Sequence, residues 1–157
     1  MLLIPDKTLV VCFEHGHRIT ETARAWLSKR FPVEHAQCIV EAPYIVARNL
    51  AVRDVVLPRA RQFDFALFCD NDVTPTEPST DAFLKIDADV ASCECRMGVS
   101  AAWNSPAAFH TPLWWCRMEV LRRVAAPWFM FKYGPDGCSL RQCDCAYFAR
   151  KVLAAEI

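Results

Sequence analysis

Several features that would assign the chain to a broad class are missing from the sequence. The 18 basic and 18 acidic residues balance to a formal net charge of zero, and no run of Lys or Arg indicates a surface for a nucleic-acid backbone. No segment approaches the roughly 20 apolar residues of a transmembrane helix. The first residues lack the charged start and long apolar stretch of a signal peptide, so we expect a cytoplasmic protein without a nucleic-acid partner.

The sequence does have enough apolar residues for a sizeable core. With 54% hydrophobic content and no repeat or linker, residues 1–157 are predicted to form a single domain. Nine cysteines without an export signal indicate reduced thiols, several of them in the core. Zinc binding is the less favoured alternative, because the close pairs are spaced C-x-C and not C-x-x-C. Its ligands would be Cys93 and Cys95, Cys143 and Cys145, and Cys138.

The rest of the chain is organised around residues 63–73, FDFALFCDNDV. The apolar part predicts a strand buried on both faces, as in the middle of a parallel sheet. Asp70 and Asp72 come at its carboxyl end, where such sheets bind ligands. If the backbone stays extended, the two carboxylates project to the same side and can hold one hard divalent cation. The alternative is a turn that begins with a capping Asp.

Strands and helices alternate through the first half of the chain. The predicted strands are residues 8–13, residues 37–40 and the apolar part of residues 63–73, and the predicted helices are residues 20–30 and 43–58. The fold class is therefore α/β with a mainly parallel central sheet flanked by helices. Residues 96–112 are predicted to form a long irregular connection. A strand over 113–116 and helices over 118–124 and 140–155 follow, and this half has room for antiparallel pairs.

Three other groups of polar residues lie outside residues 63–73. Glu14 and His15 follow the first strand and are predicted at the same end of the sheet. Asp87 and Asp89 form a second Asp-x-Asp, but they precede their strand and are interpreted as loop residues at the opposite end. His110 is a lone loop histidine, for which solvation is the favoured interpretation.

Five segments also carry a family resemblance. They are residues 47–52 (ARNLAV), 63–73 (FDFALFCDNDV), 87–91 (DADVA), 113–121 (LWWCRMEVL) and 142–150 (QCDCAYFAR). In this order they resemble motifs of the GT-A glycosyltransferases, close to the large family 2 group. The match extends over nearly the whole chain, and the shared order of the motifs carries more weight than any one of them.

The resemblance implies a fold, a reaction and a cofactor. The fold would be the Rossmann-like GT-A (nucleotide-diphospho-sugar transferase) fold, with residues 1–73 as the nucleotide-binding half, ending in the DxD motif, and residues 74–157 as the acceptor-side half. The reaction would move a sugar, of hexosyltransferase type, from a UDP- or GDP-sugar to an unknown acceptor hydroxyl with inversion. Mn²⁺ or Mg²⁺ would assist it.

The resemblance also implies roles for individual residues. Asp70 and Asp72 would hold the metal on the donor diphosphate, and Asp144 would be the catalytic base. A first-turn Asp stabilised by its helix dipole is the alternative for Asp144. The nucleotide sugar would be bound by Glu14, His15, Arg48, Asn49, Asp70 and Asn71.

Three other functions stay open at this point. A degenerate nucleotide-sugar-binding domain without transferase activity is favoured by Cys143, which stands where the family usually has Glu. A nucleotidyltransferase is disfavoured, because no Gly-rich loop follows the first strand. An interaction protein with a core of reduced cysteines would use residues 70–72 only as a turn. The sequence also leaves a homo-oligomer open.

Overall fold

The computed structural model describes residues 3–14, 18–32, 36–39, 44–76, 79–93 and 112–157. His15, His110 and Cys95 lie outside these segments, so the predictions made for them are not addressed by the structure.

A five-stranded sheet forms the centre of the fold. Its strands are β1 (Thr8–Phe13), β2 (Ala36–Ile39), β3 (Phe65–Asp70), β4 (Val90–Ser92) and β5 (Leu113–Arg117), in the spatial order β2-β1-β3-β5-β4. All residues of β1 and β3 are buried. The prediction that the apolar part of residues 63–73 forms a strand buried on both faces is therefore confirmed, and the strand begins at Phe65.

The sheet is mixed, which corrects the prediction of a mainly parallel one. β1 is parallel to both β2 and β3, whereas β5 runs antiparallel to β3 and to β4. The apolar content of β5 correctly predicted a buried strand. It could not predict the direction, because a buried strand is apolar in either orientation. The α/β class itself is confirmed.

Helices cover both faces of this sheet. They are α1 (Glu21–Ser28), α2 (Tyr44–Leu50), α3 (Leu57–Arg59), α4 (Ser79–Phe83), α5 (Met118–Arg123) and α6 (Asp144–Ala154), and a π-helical segment (Ala51–Val56) joins α2 to α3. A short 3₁₀ turn (Pro5–Lys7) precedes β1, and a small hairpin of β6 (Lys132–Tyr133) and β7 (Leu140–Gln142) precedes α6.

The last helix begins later than the predicted residue 140. Residues 140–142 are β7, and Cys143 has an extended backbone, so the helix begins at Asp144. The Sγ atom of Cys143 accepts a hydrogen bond from the backbone N–H of Ala146 at 3.4 Å and thereby caps the first turn. This start places Asp144 at the first position of α6.

The two faces of the sheet carry separate groups of buried side chains. Alternation along β1 sends Val11 and Phe13 to one face and Val10 and Cys12 to the other. The elements α2, the π-helical segment, α5 and α6 pack on the first face, whereas α1 and α4 pack on the second. Thus α2 and α6 share a face, although β3, β4 and β5 separate them in the chain.

Candidate functional site

Asp70 lies where the sequence predicts it, at the carboxyl end of a buried strand. It is the last residue of β3 and is paired in register with Phe13, the last residue of the parallel strand β1. Strand alternation directs its side chain to the same face as Phe68, which is the face covered by α2 and α6. Asp70 is buried there, so its carboxylate needs a partner within the protein.

Arg48 of α2 is that partner. Its Nη2 atom donates to both carboxylate oxygens of Asp70, at 3.0 Å to Oδ1 and 2.7 Å to Oδ2. The Arg48 side chain is only 1% exposed. Its guanidinium carbon lies 5.7 Å from the ring centre of Phe13 and 5.6 Å from that of Phe129. Aromatic faces at this distance favour a cation.

Asp144 is the third member of the cluster. Its Oδ2 atom lies 3.5 Å from Nη1 of Arg48, and its side chain is 4% exposed. This oxygen accepts no hydrogen bond from the described part of the chain, while Oδ1 accepts a weak one from the Cys145 thiol at 3.5 Å. The first position of α6 is favourable for a carboxylate because the helix N-terminus is partly positive.

Aromatic side chains pack against one another next to the cluster of Arg48, Asp70 and Asp144. The ring of Phe68 stacks on Phe13 at 6.3 Å and on Trp114 at 4.2 Å, so one row crosses β1, β3 and β5. Trp114 in turn contacts Phe148 of α6 at 5.1 Å and Phe129 at 5.7 Å between ring centres. This packing holds α6 against the sheet and places Asp144 beside Arg48.

Asp72 does not share the environment of Asp70. The strand ends at Asp70, and Asn71 and Asp72 form a turn, so the condition of an extended backbone through Asp72 is not met and the turn alternative describes the backbone. The backbone of Asn71 accepts a hydrogen bond from the N–H of Thr20 at 3.2 Å, which ties the turn to the start of α1. Asp72 is exposed, whereas Asp70 faces Arg48.

Two further predicted site residues bond to the backbone of the protein. The Asn49 side chain donates to the carbonyl oxygens of Ile45 and Phe129, at 3.0 and 2.8 Å, and accepts from the N–H groups of Trp128 and Phe129, at 2.9 and 3.2 Å. The Glu14 carboxylate accepts from the N–H of Ile19 at 3.3 Å. Asn49 therefore holds α2 against the segment that carries Phe129 through hydrogen bonds.

The acidic side chains of the site have oxygen donor atoms, which are the ligands that hard cations prefer. No three His, Cys, Asp or Glu side chains in the described segments are placed to hold a metal. Arg48, Asp70 and Asp144 together carry one positive and two negative charges, so these three side chains leave a formal charge of −1. Mg²⁺ commonly binds through one or two carboxylates, with water or phosphate completing the shell. The end of β3 offers two carboxylates: Asp70, which is bonded to Arg48, and Asp72, which is exposed in the turn.

Sequence reasoning missed the two rings and the bridging geometry of Arg48. The sequence patterns place Phe13 only in the first strand, assign no role to Phe129, and give Arg48 only a place near the nucleotide. The position of Phe13 at the end of a strand next to Asp70 was the available signal for the first ring. No local signal pointed to the Phe129 ring, because its contact with Arg48 is tertiary.

In comparisons with known proteins, no family model, no curated protein and no solved structure matches the chain. In the described segments, no helix is long and apolar enough to cross a membrane.

Proposed function

We propose that the chain is a metal-assisted glycosyltransferase with a GT-A-like fold, which moves a sugar from a UDP- or GDP-sugar to an acceptor hydroxyl with inversion. One observation carries the proposal: Asp70 and Asp144, far apart in sequence, lie against the same guanidinium at the carboxyl ends of β1 and β3. That edge of an α/β sheet is where ligands bind. The ordered motif resemblance supports the same function.

The carboxylates at the end of β3 would supply the metal site. Asp70 and Asp72 would hold Mn²⁺ or Mg²⁺ on the donor diphosphate. When bound, the ion neutralises charge that builds up on the departing nucleoside diphosphate. Glu14 borders the same edge of the sheet, immediately after β1.

Asp144 would be the general base. The acceptor hydroxyl oxygen attacks the anomeric carbon of the sugar, the bond from that carbon to the diphosphate oxygen breaks on the opposite side, and the hydroxyl proton passes to the Asp144 carboxylate. Attack from the face opposite the leaving group inverts the anomeric centre. The Oδ2 atom of Asp144 lies 3.5 Å from Nη1 of Arg48 and accepts no hydrogen bond from the described residues.

Ligand-induced stabilisation tests the binding part of this proposal. Nucleoside diphosphates and nucleotide sugars, each with and without Mn²⁺, are screened by thermal unfolding. At a ligand concentration of about 100 times Kd, we expect one nucleotide to raise the Tm by about 5–10 °C with Mn²⁺. Asp72→Ala should abolish this metal-dependent shift, whereas Asp6→Asn, at the opposite end of β1, should keep it. No shift with any nucleotide contradicts the proposal.

Donor turnover tests the catalytic part. Asp144→Asn should lower the rate of donor hydrolysis or transfer about 100-fold or more, because it removes the base, while the nucleotide-induced Tm shift stays. If the wild-type protein binds the donor but does not turn it over, the protein is instead a nucleotide-sugar-binding domain without transferase activity. The burial of Asp144 and the Cys143 cap beside it are the observations that favour this second candidate.

A further inference from the structure

The Asp144 carboxylate lies beside a buried cation. Its Oδ2 atom is 3.5 Å from Nη1 of Arg48, and the two side chains are 4% and 1% exposed. A carboxylate at such a depth requires a positive partner, because water cannot solvate it there. The partly positive N-terminus of α6 favours an Asp at this position but does not by itself fix the orientation of the side chain. The guanidinium of Arg48 supplies a specific direction.

The guanidinium is itself fixed by its other contacts. Its Nη2 atom donates to both oxygens of Asp70, at 3.0 and 2.7 Å. The ring centres of Phe13 and Phe129 lie 5.7 and 5.6 Å from its central carbon. Because a guanidinium is planar, contacts that fix Nη2 and the ring faces also fix the direction of Nη1. Arg48 therefore presents Nη1 to Asp144 from a defined position.

These contacts connect three elements that are far apart in the chain. Arg48 belongs to α2, Asp70 ends β3, and Asp144 begins α6. The guanidinium thus relates the start of α6 to the end of the buried strand β3, where the candidate site lies.

We propose that Arg48 is a positioning residue for Asp144: its Nη1 atom holds the Asp144 carboxylate in one orientation at the sheet edge, while Asp70 holds Arg48. The inference rests on the proposed function for the assignment of Asp144 as the general base. Arg48 acts through that carboxylate and touches neither the donor nor the acceptor. Its loss is therefore expected to slow the chemical step without weakening donor binding.

A double-mutant cycle tests the contact without requiring any activity. Arg48→Met, Asp144→Asn and the double variant are compared with the wild-type protein by thermal unfolding. Arg48→Met leaves two buried carboxylates without their cation, so we expect the Tm to fall by about 10 °C. Adding Asp144→Asn removes one of those charges and should return about 3 °C or more of the loss. Strictly additive effects of the two substitutions overturn the proposal.

Asp136→Asn is the matched control for the cycle. Asp136 is exposed in the turn of the β6–β7 hairpin, where its carboxylate accepts from the N–H groups of Cys138 and Ser139. Combined with Arg48→Met, this substitution should return none of the lost Tm. An equal recovery from Asp136→Asn and Asp144→Asn would show a general effect of net charge and overturn the contact between Arg48 and Asp144.

NMR covers the case in which Arg48→Met does not fold. The Nη–H resonances of Arg48 are recorded in the wild-type protein and in Asp144→Asn, and are assigned through nuclear Overhauser effects to the rings of Phe13 and Phe129. Asp144→Asn removes the charge that faces Nη1 and leaves Asp70 at Nη2. We expect the Nη1–H resonances to move more than those of Nη2–H. Nη1–H resonances that stay in place overturn the proposal.

Kinetics separate positioning from nucleotide binding. Arg48→Lys keeps the positive charge, but an ammonium group cannot reproduce the planar fork that faces both carboxylates. We expect kcat to fall about 100-fold, while the donor KM and the nucleotide-induced Tm shift stay unchanged. A raised KM with an unchanged kcat would place Arg48 against the nucleotide and overturn the proposal. A wild-type protein without turnover counts against the transferase, whereas the cycle and the NMR measurement still decide whether Arg48 holds Asp144.

Discussion

At the scale of single residues, two neighbours in the sequence make different contacts in the structure. Arg48 and Asn49 are adjacent on α2 and were both predicted near the nucleotide. Arg48 bonds to a carboxylate at the end of β3, whereas Asn49 makes four hydrogen bonds to backbone groups, three of them on Trp128 and Phe129. Asn49 thereby holds one of the rings that flank Arg48, which connects a structural residue to the candidate site.

Replacement of Asn49 tests this division. Asn49→Ala leaves the N–H groups of Trp128 and Phe129 and a Phe129 carbonyl without their side-chain partner, at a cost of about 1–3 kcal/mol in the free energy of unfolding. We expect the Tm to fall by about 3–10 °C in a thermal melt. The exposed amide control Gln62→Ala should change the Tm little. A weakened nucleotide affinity with an unchanged Tm would instead favour the nucleotide-contact role that the sequence predicts.

At the scale of secondary-structure elements, α1 and α4 are tied together on the face opposite the candidate site. Asp81 of α4 accepts from Nε and Nη2 of Arg30, both at 2.8 Å, and from the indole N–H of Trp26 in α1 at 3.2 Å. The hydrogen bond from Arg30 holds the pKa of Asp81 below its usual range. These contacts link α4 to the helix whose first residues anchor the turn at Asn71.

The Arg30–Asp81 link predicts a pH-dependent contribution to stability. A carboxyl whose pKa is lower in the folded than in the unfolded protein stabilises the fold above its unfolded pKa, and that contribution disappears as the pH falls through the folded pKa. Asp81→Asn should therefore lower the Tm by about 1–3 °C at pH 7 and have no such effect in strong acid.

Asp54→Asn is the matched control for this prediction. The pKa of Asp54 is also lowered by an arginine, but its partner Arg53 is the adjacent residue in the chain, and the pair is exposed. It links no two elements, so its loss should leave the Tm nearly unchanged. An equal loss of Tm in both variants would contradict a tie between α1 and α4.

At the scale of the whole molecule, two layers of buried side chains enclose most of the described thiols. Cys12, Cys69, Cys93 and Cys116 are buried, Cys138 is exposed, and the two thiols next to Asp144 are half-buried. Burial raises the pKa of the Cys116 thiol well above its ordinary value. A buried thiol is both inaccessible and poorly ionised, and so reacts slowly.

The rate of thiol labelling tests the predicted accessibility of each cysteine. With N-ethylmaleimide at neutral pH, followed by peptide mass spectrometry, Cys138 should react first, Cys143 and Cys145 next, and the four buried cysteines only as the protein unfolds. In guanidinium chloride all of them should react at similar rates. Labelling of Cys116 as fast as that of Cys138 in the native protein would contradict the packing of the sheet.

The sequence by itself determined the buried strands β1 and β3, the α/β class and the position of Asp70 at a strand end. These follow from local hydrophobic patterns and from where they stop. The start of α6 was less well determined, because residues 140–142 form β7 by pairing with β6, which lies outside the segment.

Only the tertiary structure decided the direction of β5, the separation of Asp72 from Asp70 and the meeting of Arg48 with Asp70 and Asp144. Each depends on contacts between residues far apart in the chain, and a one-dimensional pattern carries no distances between them. The physical reason lies in burial: Asp70 and Asp144 are both buried, and a buried carboxylate requires a cation that only the fold can bring to it.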